Sequence, residues 1–358
     1  MVVPTRRAEI KPWNRAGEWR MSVVPSLNSD APAGSLGPSP LSPARELAQQ
    51  ARQLSQKVTA EVARVVVGAE AVTQQLLIAL LAGGHVLLEG VPGVAKTTLS
   101  KVFARLLGCQ YQRVQFTPDL LPSDVTGTSI FDRNANDFVL RKGPIFTQVL
   151  LADEINRAPA KTQAALLEAM QEHQVTVDGQ TLILPPPFLV LATQNPVEQE
   201  GVYRLPEAQL DRFLLRVEMG YPGFNHEVNL LKLHSRPAVE VQTLFDPPTI
   251  LNLQAKLPHV YGDDSLYDYI VQLAEESRRH PDVALGASPR AALNMLKCAR
   301  AHAVLEGRHY FTHDDVQAIA YGVLGHRLIL RPEAEIEGKH VADVVREVLA
   351  AVQVFDAK

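Results

Sequence analysis

The stretch that decides the fold reads His85-Val86-Leu87-Leu88-Glu89-Gly90-Val91-Pro92-Gly93-Val94-Ala95-Lys96-Thr97-Thr98. Its apolar run lacks alternation, which predicts a strand buried on both faces, as in a parallel sheet. The glycines then allow a tight turn whose backbone N–H groups approach a polyphosphate, and a helix starts directly after it. In such a turn the lysine binds the β- and γ-phosphates, and the hydroxyl of the next residue binds Mg²⁺.

One residue departs from this phosphate-binding pattern, because alanine precedes the lysine where the pattern has glycine. A glycine-containing turn between a strand and a helix, without any ligand, is the alternative that this stretch alone leaves open. We predict the phosphate-binding turn, formed by Gly90, Val91, Pro92, Gly93, Val94, Ala95, Lys96, Thr97 and Thr98.

The composition is that of an ordinary globular protein, with 46% hydrophobic and 21% charged residues among 358. At about 150 residues per domain, this length predicts two domains. The net charge of −4 shows no basic excess of the kind that nucleic-acid binders carry, although a local basic groove stays open. Two distant cysteines, Cys109 and Cys298, fit a reducing cytosol better than a disulfide framework, so we predict a cytoplasmic protein. The longest apolar run, residues 76–82, is too short to span a membrane.

The chain divides into four predicted segments. Residues 1–43 are rich in proline and serine and predict a disordered leader, unless Met21 is the true start. Residues 44–220 mix apolar strands with amphipathic helices, which predicts an α/β core with helices on both sides of a parallel sheet. A proline-rich linker is expected at 221–248, and residues 249–358, with almost only helical periodicity, are expected to form an all-helical lid domain.

Two adjacent carboxylates end a second buried strand. The apolar run at residues 149–152 stops at Asp153 and Glu154. In open α/β sheets, ligands bind at the carboxyl ends of the strands. ATP hydrolysis needs one carboxylate that holds hydrated Mg²⁺, which suits Asp153, and one that orients the attacking water, which suits Glu154. A solvated turn is the alternative for this pair taken alone, and the phosphate-binding turn favours the catalytic interpretation.

A further strand, at residues 188–192, ends in a polar tetrapeptide that contains Asn195. This asparagine is a candidate for a hydrogen bond to the γ-phosphate or to the attacking water. An Asx turn before the following proline explains it equally well from local sequence. Between the acid pair and this strand, residues 175–183 predict a β-hairpin with its turn at Asp178-Gly179.

Two arginines are candidates for contacts with phosphate. Arg212 follows a short helix, and arginines in phosphate hydrolysis often come from a neighbouring subunit. An ion pair with Asp211 or Glu207 explains this arginine equally well. Arg290 lies in the first turn of a helix capped by Ser288, where a positive charge opposes the helix dipole by about 0.3–1 kcal/mol. A bound anion explains that placement, and a surface arginine without a function is the alternative.

Six blocks of sequence, in order, resemble the MoxR family of AAA+ ATPases, and the resemblance extends from residue 44 to the C-terminus. The blocks lie at residues 88–97, 115–124, 153–157, 192–196, 206–213 and 286–290. The family itself carries alanine before the lysine, so Ala95 supports the resemblance. Arg204, where the family more often has proline, and Ala69, where glutamine is common, depart from it.

The resemblance implies a P-loop AAA+ core followed by a helical lid, with ATP and Mg²⁺ as cofactors. It makes Asp153 and Glu154 the Walker B pair, with Mg²⁺ held by Thr97 and, through water, by Asp153. The other roles it implies are contact with adenine for Val67 and Gly68, sensor 1 for Asn195, a trans arginine finger for Arg212 and sensor 2 for Arg290. Residues 127–146 correspond to the family's helix-2 insert and residues 175–183 to its pre-sensor-1 hairpin.

By the same resemblance, the chain is expected to form a ring, usually hexameric, that remodels or matures partner proteins, often ones with von Willebrand A domains. ATP is expected between core and lid, bridged by Lys96 and Arg290, with Arg212 supplied by the next subunit. Two other functions stay open: a scaffold that binds ATP without useful turnover, and a related motor, either a chelatase-type subunit or a nucleic-acid translocase. The complete acid pair argues against the scaffold. Net acidity argues against the translocase, so no nucleic acid is expected as a partner.

Overall fold

The computed structural model describes residues 43–134, 136–194, 203, 205–221, 223–235 and 240–353, and every structural statement below concerns these. The predicted leader, apart from its last residue, and the sensor 1 candidate Asn195 lie outside the described residues. The helices are α1 (Pro43–Ala63), α2 (Glu70–Leu81), α3 (Lys96–Leu106), α4 (Pro122–Thr126), α5 (Ala160–Glu172), α6 (Glu207–Leu210), α7 (Phe224–His234), α8 (Pro247–Lys256), α9 (Asp264–Arg279), α10 (Pro289–Leu305), α11 (His313–Leu324), α12 (Pro332–Ile336) and α13 (Val341–Ala351). The strands are β1 (Val86–Gly90), β2 (Tyr111–Gln115), β3 (Gly127–Asp132), β4 (Asp137–Lys142), β5 (Val149–Asp153), β6 (Gln174–Val177), β7 (Gln180–Ile183), β8 (Leu189–Gln194), β9 (Leu215–Met219), β10 (Val283–Leu285) and β11 (Ile329–Leu330).

Five strands form one parallel sheet in the order β2-β5-β8-β1-β9. β1 lies at the inner position between β8 and β9, with Val86 opposite both Leu191 and Leu215. β5 pairs with β2 on one side and with β8 on the other. Every pair is parallel, so each connection has to cross over the sheet, and helices make these crossings. The predicted α/β core is confirmed.

Alternate residues of the central strands face two separate hydrophobic clusters. In β1, Val86 and Leu88 face the side covered by α1, α2 and α3, whereas Leu87 faces the side covered by α5. In β5, Leu151 faces the same side as Val86 and Leu88, and Leu150 faces the same side as Leu87. Because successive side chains of a strand point to opposite faces, a sheet covered on both faces needs apolar residues at every position. This is the physical origin of the unbroken apolar runs in the sequence.

Two antiparallel hairpins project from this core. β3 and β4 pair from Gly127 opposite Lys142 to Asp132 opposite Asp137, within the expected insert at 127–146. β6 and β7 form the hairpin predicted at 175–183. Both of its turn residues, Asp178 and Gly179, have positive φ values, of 49° and 81°, as a two-residue type I′ turn requires.

The segment expected as a linker, residues 221–248, contains a helix of its own, because residues 224–234 form α7. Past this helix, Asp246 accepts the backbone N–H of Thr249 at 3.0 Å and caps α8. Pro247 occupies the first helical position, where its missing N–H has no cost. The last three residues of the expected linker, 246–248, therefore belong to the start of a helix.

From α8 onward the chain is helical except for β10 and β11, which form a short antiparallel ribbon. A capping box starts α11, since Asp315 accepts the Thr312 N–H at 2.7 Å. Burial raises the pKa of the Asp315 carboxyl, but hydrogen bonds from Arg308 and His302 hold it well below its usual range. α1 packs against α8 and α10, so core and lid share one hydrophobic cluster. Of the helices described, none is both long and apolar enough to cross a bilayer.

Candidate nucleotide-binding site

The turn between β1 and α3 leaves the first N–H groups of α3 open to a ligand. α3 begins at Lys96, and its N-terminus carries no side-chain cap. N–H groups in a first helical turn have no acceptor within the helix, and together with the helix dipole they attract anions. Gly93 and Ala95 adopt left-handed backbone, with φ of 87° and 62°. This explains the usual glycine before the lysine, and alanine in its place costs about 1 kcal/mol.

Lys96 reaches back over this turn. Its Nζ donates a hydrogen bond to the carbonyl oxygen of Gly90 at 2.6 Å. Partial burial lowers the pKa of the Lys96 ammonium, and the nearby charges of Asp153 and Glu154 oppose that shift. The ammonium therefore lies in the field of both carboxylates, where a phosphate oxygen can replace the Gly90 oxygen as its partner.

Polar side chains from the two neighbouring strands hold the acid pair. Thr193 of β8 donates to Asp153 Oδ1 at 2.6 Å, and its hydroxyl accepts the Glu154 N–H at 2.8 Å. Arg113 of β2 donates to Asp153 Oδ2 at 2.7 and 3.0 Å. Gln115, also of β2, donates to Glu154 Oε2 at 2.6 Å. Both carboxylates are thereby kept in fixed orientations at the carboxyl edge of the sheet.

Glu154 leaves one oxygen available for a water molecule. Arg157 Nη1 lies 2.8 Å from the same Oε2 that Gln115 contacts, whereas Oε1 has no partner among the residues described. The backbone of Glu154 is left-handed, with φ of 56°. Strained backbone of this kind is concentrated at active sites. The arrangement suits a carboxylate that orients a nucleophilic water.

Thr97 and Asp153 fit the binding of Mg²⁺. This ion takes oxygen ligands and usually keeps several of its waters. Thr97 is half-buried at the start of α3, and its hydroxyl has no hydrogen-bond partner in the described part of the chain. Asp153 is held by Thr193 and Arg113, which leave lone pairs free for a metal-bound water. One hydroxyl and one carboxylate are the donor set that this ion prefers.

A cleft of about 540 Å³ adjoins the phosphate-binding turn. Val67, Gly68, the turn residues Gly93 and Val94, and His226 of α7 are among the residues that line it. Gly68 has φ of 77°, and a Cβ at this position would lie only 3.1 Å from His226 Nδ1. A cleft of several hundred cubic ångströms fits a ligand of nucleotide size. The structure thus joins the expected adenine contacts and the phosphate-binding turn in one cleft.

Arg212 and Arg290 line a different cavity, of about 290 Å³. Gly84 and His85, which immediately precede β1, line it as well. Lys297, on the same helix as Arg290, adds a third cation. This cationic cavity therefore lies at the amino edge of the sheet.

The length of the central strands separates the cleft from the cationic cavity. Val86–Gly90 and Leu215–Met219 run parallel and in register, with the cleft at their carboxyl ends and the cavity at their amino ends. Four rises of about 3.3 Å make these strands about 13 Å long. Within one chain, the structure does not bring Arg290 to Lys96, so the expected bridge between them across one nucleotide is not formed.

The local explanation for Arg212 is not supported either. Its side chain forms no ion pair with any described residue. Asp211 instead pairs with Arg327 at 2.7 Å, and Glu207 is exposed. The half-buried Arg212 is thus a lining residue of the cavity without a described ionic partner.

Sequence reasoning missed Arg113, Gln115 and the role of Thr193, although a signal existed for the first two. Residues i and i+2 of a strand lie on the same face of the sheet. Two long polar side chains so spaced at the end of a strand lie beside the last residues of the adjacent strand. His226 was missed because the whole of α7 was expected to be linker. Its apolar residues are spaced like those of a helix, but prolines on either side favoured a loop.

One cluster outside the cleft has metal-ligand chemistry but is already neutralised. His280, Asp282 and Glu347 place ligand atoms within 4.8 Å of one another. The Lys339 ammonium donates to both carboxylates, at 2.9 Å for Glu347. A cation is therefore already present, and we assign no metal to this cluster.

Comparisons with known proteins agree with this geometry. Residues 85–215 match the family model for the ATPase family associated with various cellular activities (AAA), and residues 275–348 match the AAA lid domain. A crystal structure from Cytophaga hutchinsonii superposes with a TM-score of 0.82 and 40% sequence identity, covering 87% of this chain and 98% of that chain. The fold and the site thus define an AAA ATPase.

Similar proteins identify the family to which the chain belongs within the AAA ATPases. The uncharacterized protein YeaC of Bacillus subtilis is 49% identical over 300 residues, 83% of this chain and 94% of YeaC. Chaperone MoxR1 of Mycobacterium tuberculosis is 43% identical over 306 residues, 82% of this chain and 81% of MoxR1. Protein MoxR of Methylorubrum extorquens is 32% identical over 328 residues, 84% of this chain and 95% of that protein. The chain belongs to the MoxR family of AAA+ ATPases.

Proposed function

We propose that this chain hydrolyses ATP, with Mg²⁺, at sites formed between neighbouring copies in a ring, and that hydrolysis drives the remodelling of partner proteins. One observation carries the proposal. The groups suited to binding phosphate and activating water lie at the carboxyl edge of the sheet, whereas Arg212 and Arg290 lie at the amino edge. Each chain thus holds two incomplete and complementary halves of a site.

A head-to-tail contact completes the site. When one surface of a subunit meets a different surface of the next, repeated contacts close into a ring if the rotation allows it. The cationic cavity of one copy then covers the phosphates held by Lys96 of its neighbour. Both Arg212 and Arg290 act in trans in this arrangement, which explains why neither lies near the cleft of its own chain. Hexameric stoichiometry is the expectation from the family.

Each side chain then has a definite part in hydrolysis. Lys96 and the N–H groups of α3 bind the phosphates, and Mg²⁺, which Thr97 and Asp153 would hold, would neutralise phosphate charge when bound. Glu154 orients the attacking water and accepts its proton through Oε1. Arg212 of the next copy stabilises the charge of the transition state. Asn195, as sensor 1, stays a prediction from the sequence.

Remodelling of partner proteins is supported by the name Chaperone MoxR1 of one relative and by exposed apolar side chains on both hairpins. Phe131 and Phe138 form an edge-to-face pair across β3 and β4, with ring centroids 5.4 Å apart, and are 51% and 69% exposed. Ile183 on the second hairpin is 79% exposed. Movement of these hairpins against an apolar client segment is the proposed work of the ring. Clients with von Willebrand A domains and a cytoplasmic location remain predictions.

The test measures steady-state ATP hydrolysis across protein concentration for wild type, Arg212→Ala and Glu154→Gln. Turnover per wild-type chain rises as rings assemble, and both variants bind ATP but stay inactive. Loss of the arginine lowers turnover by about 10³-fold or more. The proposal fails if assembled Arg212→Ala keeps wild-type turnover, and ATP binding without hydrolysis by fresh wild-type oligomer would favour the scaffold instead.

An equal mixture of Arg212→Ala and Lys96→Ala tests the shared site directly. An active site then needs Lys96 from one chain and Arg212 from its neighbour, so about one quarter of the sites in randomly mixed rings are complete. Two inactive proteins should recover about one quarter of wild-type turnover. If the arginine acted on the nucleotide of its own chain, the mixture would stay inactive.

A further inference from the structure

A buried arginine holds the segment that carries the arginine finger. The side chain of Arg327, in the loop after α11, is only 3% exposed. It contacts residues 211–214, the segment between α6 and β9. Burial of a guanidinium costs free energy unless its N–H donors have acceptors. The acceptors of Arg327 therefore show which part of the chain it holds.

Each of the five N–H donors of Arg327 has an acceptor. Nε donates to the Asp211 carboxylate at 2.7 Å, and Nη2 donates to the Asp211 carbonyl oxygen at 3.2 Å and to the Phe213 carbonyl oxygen. Nη1 donates to the Leu214 carbonyl oxygen at 3.3 Å and to that of Val323 in the last turn of α11. The accepting carbonyls of the segment lie on both sides of residue 212, so its backbone is fixed from each side.

Asp211 extends this contact to the second arginine of the cationic cavity. Its carboxylate accepts a hydrogen bond from Ser288 Oγ, with distances of 3.2 and 3.3 Å to its two oxygens. Ser288 caps α10, which carries Arg290 in its first turn, and Arg290 Nη1 lies 3.9 Å from the same carboxylate. The Arg327–Asp211 ion pair thus connects the segment that carries Arg212 to the start of the helix that carries Arg290.

We propose that Arg327 is a positioning residue, which presents Arg212 to the nucleotide of the neighbouring subunit without touching that nucleotide itself. The inference rests on the proposed function, because it requires Arg212 to act across an interface. It makes a distinctive prediction: a subunit without Arg327 remains able to bind and hydrolyse its own ATP when a neighbour supplies an intact finger. The same subunit fails to supply a finger to others.

The test uses co-assembled pairs of full-length variants and measures ATP turnover together with ATP affinity. Arg327→Met mixed with Lys96→Ala should recover about as much turnover as Arg212→Ala mixed with Lys96→Ala. Arg327→Met mixed with Arg212→Ala should stay about 10²-fold below wild type, because misplacement of a catalytic group by about 1 Å costs this much. ATP affinity of Arg327→Met alone should match wild type, so that kcat changes and KM does not.

Two further variants separate positioning from folding. Arg327→Lys keeps the charge opposite Asp211 but lacks the planar fork that reaches the carbonyls, so it should show a smaller loss as a finger donor. Arg308→Met is the matched control, since it breaks another lid ion pair, with Asp315, away from residues 211–214. It should both donate and accept a finger in the mixtures.

Each outcome decides one point. Recovery of turnover by Arg327→Met with Arg212→Ala would show that the finger is presented without Arg327 and would overturn the inference alone. Failure of both Arg327 variants with Lys96→Ala, while Arg308→Met succeeds, would show a wider defect and would also overturn it. Failure of Arg212→Ala with Lys96→Ala would instead remove the shared site, and the inference with it.

Discussion

Acidification should destabilise the fold through a buried histidine that joins three elements of the core. His85 directly precedes β1 and is 4% exposed. Its Nε2 contacts the Met170 carbonyl oxygen of α5 at 2.9 Å, and its Nδ1 accepts the Val190 N–H of β8 at 3.0 Å. Only the neutral ring with its proton on Nε2 satisfies both contacts, since a proton on Nδ1 would face the Val190 N–H.

The sign of the effect follows from the pKa. Burial, assisted by the charge of His173 and opposed by the Met170 hydrogen bond, lowers the pKa of His85 to about 4, from about 6.5 in an unfolded chain. Between these values the unfolded state binds more protons, so stability falls as the pH falls. At about 1.4 kcal/mol per pKa unit, we expect a loss of about 2 kcal/mol between pH 8 and pH 5, rising to about 3 below pH 4.

Urea unfolding followed by circular dichroism at pH 8 and pH 5 measures this loss. His326 is buried and its pKa is lowered in the same direction, so wild type loses more than the His85 share alone. His85→Gln keeps an amide donor but cannot titrate, and its pH-dependent loss should be smaller than that of wild type by about 2 kcal/mol. His259→Gln, at an exposed position, is the control. The reasoning is refuted if His85→Gln and His259→Gln lose the same stability on acidification.

Three other substitutions test the cleft, the acid pair and the lid. Gly68→Val should weaken ATP binding about tenfold or more, because the new side chain would contact His226 at a residue with positive φ. Titration with a fluorescent nucleotide measures this affinity. The control is Gly338→Val, at φ 81° with open space around it, which should bind ATP like wild type. Glu154→Gln should keep ATP affinity within about twofold while phosphate release falls by about 10²-fold or more, and turnover near wild type would exclude Glu154 as the base. Asp315→Ala should lower the unfolding free energy by about 3–5 kcal/mol, because it leaves Arg308 without its ionic partner. Asp314→Ala, at the exposed neighbouring position, should lower it by less than about 1 kcal/mol. Denaturant titration of both variants measures these losses.

Features that depend on a few adjacent residues were readable from the sequence. The turn at residues 90–97 uses Gly93 for left-handed backbone and a lysine at the helix start, and both requirements are local. The hairpin at 175–183 follows from its Asp178-Gly179 turn for the same reason. Strand burial on both faces also leaves a local trace, an apolar residue at every position.

The spacing of Arg113 and Gln115 leaves a local signal, but their contacts with the acid pair do not. Gln115 and Thr193 contact Glu154 and Asp153 because β5 lies between β2 and β8, and strand order is a property of the whole sheet. α7 was missed for a related reason. α7 forms a wall of the cleft opposite Gly68, and a contact between such distant segments leaves no local sequence pattern.

The sequence by itself determined that this chain carries a phosphate-binding turn, because the chemistry of phosphate and Mg²⁺ requires particular residues at short, fixed spacing. Only the tertiary structure decided where the two arginines lie. Arg212 and Arg290 are 78 residues apart in sequence, and both lie at the amino edge of the sheet, about 13 Å of strand away from Lys96. The sequence shows which cations exist, but the edge of the sheet on which they lie depends on chain crossings and lid packing, and that edge is the basis for the proposed shared site.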